Sequence, residues 1–164
     1  MVARSRSRGA TRRTRGRSTA HTARRAAPQP THPIVDLAAR HIGEAYVFGT
    51  RAPMANASWR GPWDCAEFVS WCVFHATGVL YGTEPKEPLH ADAFTGWWAE
   101  QARADGAAVT VELAARTPGA VVLRVPATGR TGHIAICDGH GGTIEAHSSA
   151  DGVSRHRVGG RIWD

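Results

Sequence analysis

Cys65 stands where a loop rich in turn residues, RAPMANASWRGPW, gives way through Asp64 to an apolar run, EFVSWCVFHATG. His133 opens the short run HIAIC, and Glu145 and His147 follow in TIEAHSS. A thiol, an imidazole and a further polar group are what nucleophilic attack on an amide requires. The thiolate attacks, the imidazole takes up a proton and returns it to the leaving amine, and the third group orients the ring. If Cys65 begins a helix, unsatisfied backbone N–H groups and the positive end of the helix dipole predict a lowered pKa for its thiol. Its own N–H is a candidate oxyanion donor. A lone cysteine at a helix start is more often structural, and His133 alone reads as an ordinary core or surface histidine. The ordered set of Cys65, His133 and a polar residue on a following strand favours catalysis, with Glu145 or His147 as the group that orients His133.

The elements that must position these residues are legible from local signals. Asp64 has the place of an N-cap. Glu67 completes a D-x-x-E capping box, Phe68, Trp71, Cys72 and His75 form a buried stripe, and Gly78 ends the helix. Upstream, IVDLAARHIGEAY predicts a helix with Ile34, Leu37, Ala38, His41 and Ile42 on one face, ending near Gly43. ADAFTGWWAEQARADG predicts another, with Phe94, Trp97, Trp98 and Gln101 at helical spacing; its tryptophans read as core or lid. Strands are expected at Ala120–Val125, His133–Cys137 and Thr143–Ser148, with His133, Ala135 and Cys137 on one face. Helices leading into an antiparallel sheet make the fold class α+β.

Three cysteines, an odd count in a chain where no signal peptide is expected, argue against a disulfide framework. Cys65 and Cys72 on one helix would lie about 10 Å apart, beyond the ~7 Å that a disulfide spans. Cys72 and Cys137 read as small core residues. With no CxxC pair, a zinc site would have to draw on histidines. The set His133, His140, Glu145 and His147 is the alternative to catalysis, but no H-E-x-x-H pattern supports it, so neither metal nor cofactor is expected. His140 reads as a solvated turn residue, and His41, His75, His90 and His156 receive no role.

The 164 residues accommodate one domain, 31–164, preceded by a basic tail, 1–30, expected to be disordered. Nine arginines and no acid fall within residues 1–27, leaving eleven basic residues against fourteen acidic ones in the remainder. The net charge of +6 therefore belongs to the tail, and the body is mildly acidic. Such a tail suits an anionic polymer or a delivery machinery. Without interleaved aromatic residues it is a poor platform for nucleic-acid bases. No stretch has the apolar length of a signal peptide or a membrane span. The expectation is synthesis in the cytoplasm without an ordinary signal peptide, and action elsewhere after non-classical delivery or lysis.

Taken in order, D-C before F-V-S-W, T-P-G before a strand, and G-H-I-A-I before a glycine turn resemble the NlpC (NlpC/p-sixty) family of papain-like cell-wall cysteine peptidases. The similarity covers most of residues 34–158, with AYVFG matching the family's tyrosine segment and TIEA the strand of its third polar residue. It implies a papain-like fold with N-terminal helices packed on an antiparallel sheet. It also implies a Cys65–His133 pair and hydrolysis of amide bonds in bacterial peptidoglycan stem peptides. By the same resemblance Glu145 is the third catalytic residue, Tyr46 stands near the oxyanion, and Asp64 meets the substrate's amino end. The chain departs from the pattern at Ala66 and Glu67, where D-C-S-G is usual, and at Thr50 and Ala120. These departures fit a divergent branch such as a phage lysin, a tail-borne wall hydrolase or a toxin effector. An acyltransferase or transglutaminase-like enzyme with the same thioester chemistry, and a basic-tailed binding protein, are the competing readings.

Overall fold

The computed structural model describes residues 32–164, so the expected tail, 1–30, lies outside the described residues. The chain runs α1 (Pro33–Ala39), α2 (Cys65–Thr77), β1 (Thr83–Glu84), β2 (Asp92–Ala93), α3 (Thr95–Ala104), α4 (Val111–Ala115), β3 (Val121–Arg124), β4 (His133–Cys137), β5 (Gly142–Ser148) and β6 (Gly152–Arg157). The last four strands form one antiparallel sheet in the order β3-β4-β5-β6, and β1 and β2 make a separate small ribbon. The architecture is the expected α+β one.

α2 organises the molecule. Asp64 caps it by accepting the Ala66 N–H at 3.0 Å. Gly78 ends it in the left-handed region, φ 78°, where a side chain would be strained. Every residue from Cys65 to Val73 is buried, because α1, β4 and β5 pack on one flank and β2 on another. That enclosure explains a departure from the expected capping box. Glu67 turns away from the cap and accepts N–H groups from Ala52 (3.2 Å) and Ala93 (2.9 Å), tying the preceding loop and the ribbon to the helix.

α1 is shorter than its apolar pattern suggests. The chain turns after Ala39, and the Gly43 N–H reaches the Val153 carbonyl at 2.8 Å. His41 is thereby buried among Trp63, Phe68 and Trp71, while Ile42 is exposed. In α3, Trp98 is buried and donates its indole N–H to Ser70 (2.9 Å), whereas Phe94 and Trp97 face outward.

The sheet is covered on both faces. Ile134, Ile136, Ile144, Ala146 and Val153 join the main core with α1 and α2. Ala135 and Cys137 pack with Ala114, Val122 and Val158 on the opposite face. All five residues of β4 are consequently buried, which fixes His133 at its first position. Cys72 and Cys137 are fully buried free thiols.

Candidate active site

Cys65 is the first residue of α2 and only 5% exposed. The backbone N–H groups of Ala66 and Ile134 are near enough to favour the ionised form of its thiol. The second follows from an opening in the sheet. β4 and β5 pair only at Ile136–Ile144 and Cys137–Thr143, and then diverge. The Cys137 N–H is given to Ala120 on the β3 side, so by alternation the Ile134 N–H faces the gap left by β5. The Ile134 N–H that favours a thiolate at Cys65 lies on that side of β4, and Ile134 directly follows His133.

The environment overturns the expected lowering of the thiol pKa. Burial pushes the Cys65 thiol up to about 12, and the neighbouring Asp64 carboxylate adds to the rise; the Ile134 and Ala66 N–H groups only partly oppose it. The Cys65 thiol is therefore neutral at rest. The helix-start effect is real but smaller than the cost of burying a charge.

His133, 7% exposed, is held from three sides. Its Nε2 lies 2.5 Å from Oε2 of the fully buried Glu145. Its ring stacks on Trp163 with centroids 6.0 Å apart, and the ring of His147 meets it edge-on at 5.8 Å. Burial raises the Glu145 carboxyl, but hydrogen bonds from Arg161, His133 and Thr143 outweigh it and hold the group well below the ordinary carboxylate range. An ionised carboxylate only accepts, so the proton on this bond is assigned to Nε2. Nδ1 is then the basic nitrogen, the reverse of a carboxylate taking the Nδ1–H. His147 is engaged elsewhere, with its Nδ1 2.8 Å from Asp151.

Two partners of this pair carry no motif in the sequence. Arg161 grips Glu145 with both terminal nitrogens, at 2.6 and 2.7 Å, and its guanidinium lies 4.5 Å from the Trp163 ring centre. Thr143 donates to the other carboxylate oxygen at 2.5 Å. Both Arg161 and Trp163 belong to the segment after β6, which returns across the sheet and is pinned where the Asp164 N–H meets the Leu123 carbonyl at 2.9 Å. The signal available in the sequence was an arginine two residues before a tryptophan in GGRIWD.

Tyr46 and Asp64 sit on the other side of Cys65. Tyr46 bridges to Trp63, and its hydroxyl is pushed up to about 12 by burial, then by Cys65 and Asp64. Asp64 uses one oxygen for the helix cap and the other for the Gly49 N–H at 2.9 Å. Over Cys65 opens a cleft of about 260 Å³, with Asp64, Glu67 and Asp92 among its lining and Phe48 and Phe94 as exposed apolar walls. A larger, mainly apolar cavity of about 380 Å³ between α3 and β3 shares no residue with it and contains none of the groups just described. The histidine cluster expected as a metal alternative does not assemble as such: His133 and Glu145 are committed to each other, and His140 is exposed in the turn.

Residues 56–148, more than half of the chain, match the CHAP domain family, and the chain belongs to that family. Its structure is similar to the NlpC/p60 domain of the peptidoglycan hydrolase SagA, with a TM-score of 0.53 and 24% identity over 80% of this chain and 92% of that one. The fold is thus the papain-like one that the sequence resemblance implies. No curated protein matches it.

Proposed function

We propose that this protein is a peptidoglycan hydrolase, a cysteine peptidase or amidase that cleaves amide bonds in bacterial stem peptides. The observation that carries the reading is a His133 whose Nε2 is fixed by the Glu145–Arg161 pair, at the head of the strand whose Ile134 N–H favours a thiolate at Cys65. In this reading Nδ1 of His133 takes the proton from Sγ as the sulfur attacks the carbonyl carbon. General-base removal is needed because the thiol is neutral at rest. The Cys65 N–H at the helix start receives the oxyanion, with Tyr46 alongside. The imidazolium, stabilised by Glu145, passes its proton to the leaving amine, and water activated by the same nitrogen resolves the thioester. Asp64 and Asp92 in the cleft lining suit a substrate with an amino group near the scissile bond. Family membership in CHAP and the fold shared with a peptidoglycan hydrolase support the same substrate class.

The bacterial wall is then the place of action, reached by a delivery particle or at lysis, and a phage lysin or toxin effector fits that route. The test is digestion of purified sacculi with mass spectrometry of the products. Wild-type protein is expected to release stem-peptide fragments with a new amino end, and Cys65→Ala to release none while remaining folded. Full release by the variant overturns the assignment of the nucleophile.

A further inference from the structure

The β5–β6 hairpin gathers three ligating side chains that the reaction does not use. His147 lies where the register between the strands shifts, Asp151 in the connecting turn and His156 on β6. Each offers one ligand atom, and these atoms all lie within 4.8 Å of one another. No other such set occurs among the described residues. We infer that His147, Asp151 and His156 form a binding site for a transition-metal dication, Zn²⁺ foremost, with three protein ligands and an open fourth position.

Four arguments carry this. A tetrahedral ion with ligands at about 2.0–2.1 Å needs donor–donor spacings of roughly 3.4 Å, so the set closes on an ion with side-chain adjustments on the order of an ångström. Two imidazoles and one carboxylate suit Zn²⁺, Cu²⁺ or Ni²⁺ and not Ca²⁺ or Mg²⁺, which take oxygen ligands. The donors are already held: His147 Nδ1 is 2.8 Å from Asp151 Oδ2, the rings of His147 and His156 lie tilted by 32° with centroids 4.1 Å apart, and the Ser154 hydroxyl lies 2.9 Å from His156 Nε2, a partner able to fix a tautomer. Finally, the His147 and Asp151 side chains are 32% and 45% exposed, which leaves a path of entry and room for a water ligand. The neighbouring positive charge of Arg161 is neutralised by Glu145. An ion here would replace the proton shared by His147 and Asp151. The site is distinct from the Cys65–His133 pair, although the His147 ring touches the edge of His133.

Zn²⁺ titration of the full chain, followed by calorimetry, tests the inference. Wild type and Cys65→Ala are expected to bind one Zn²⁺ with equal affinity at this site, and His156→Ala and Asp151→Asn each to weaken it at least tenfold. Co²⁺ in place of Zn²⁺ should give a spectrum without a thiolate charge-transfer band. Absence of Zn²⁺ binding, affinity unchanged in both ligand variants, or loss of binding in Cys65→Ala overturns the site. Circular dichroism establishes that each variant is folded. If His156→Ala is not, the turn variant Asp151→Asn, whose side chain is half exposed, decides.

Discussion

Glu145 is a buried carboxylate that three side chains keep ionised, and it is the only one of the two candidates on β5 that touches the His133 ring nitrogens. The strand register explains the choice. With Ile136 opposite Ile144, continuing the ladder sets His147 across from His133 and Glu145 on the diagonal. The divergence of the strands and the pull of Asp151 take the directly opposed histidine away, and the diagonal carboxylate reaches Nε2. Glu145→Gln keeps the shape but removes the charge that stabilises the imidazolium. It is expected to lower kcat at least about tenfold, the effect of roughly 1.4 kcal/mol on the barrier, while His147→Ala, assayed with a metal chelator present, changes kcat little. Steady-state kinetics on a soluble peptide read both, and a severe loss in the histidine variant with a mild one in the glutamine variant reverses the roles.

Among the elements, α2 supplies Cys65, and its fully enclosed first turns set the charge states around it. Burial raises the Glu67 carboxyl from 4.5 to about 8, the nearby Asp92 adds to this, and the Ala93 and Ala52 N–H groups oppose it. A carboxyl whose folded pKa exceeds its unfolded one binds more protons in the native state between those two values, so its contribution to stability falls as pH rises through that window. Glu67 ties the loop before α2 to the ribbon, and both segments line the cleft. The expectation is that Glu67→Gln gains stability relative to wild type as pH goes from about 5 to 8. Urea unfolding at several pH values measures it, and a constant difference across that range would show that Glu67 does not titrate there.

At the scale of the whole molecule the charge is segregated: the nine arginines of residues 1–27 precede a domain with more acids than bases and a cleft lined by Asp64, Glu67 and Asp92. We propose that attraction of the basic segment to an anionic polymer and turnover in the cleft are separable functions. A chain beginning at residue 32 is expected to cleave a small soluble peptide as fast as the full chain, and to lose the salt-sensitive part of its binding to cell walls. Sedimentation with sacculi at increasing salt, beside the peptide assay, checks both halves. A large fall in peptide turnover would place the basic segment on the cleft.

What the sequence determined by itself is whatever local signals encode. Asp64 and Gly78 bound α2 through cap chemistry, alternation marks β4, and the turn glycines mark the start of β5. Cys65 and His133 were legible because each sits at an element's first residue. β6 was not, since GVSRHR is a largely polar edge strand defined by its pairing with β5, and α4 and the β1–β2 ribbon are too short for a period to show. Only the tertiary structure decided that Glu145 outcompetes His147, that Arg161 and Trp163 return to lock the His133 ring and its carboxylate, and that His147, Asp151 and His156 converge. It also reversed the expected Cys65 pKa. The physical reason is common to all of these. Caps and alternation act over a few residues of chain, whereas the field at a side chain depends on what packs around it, and burial and paired charges come from segments distant in sequence.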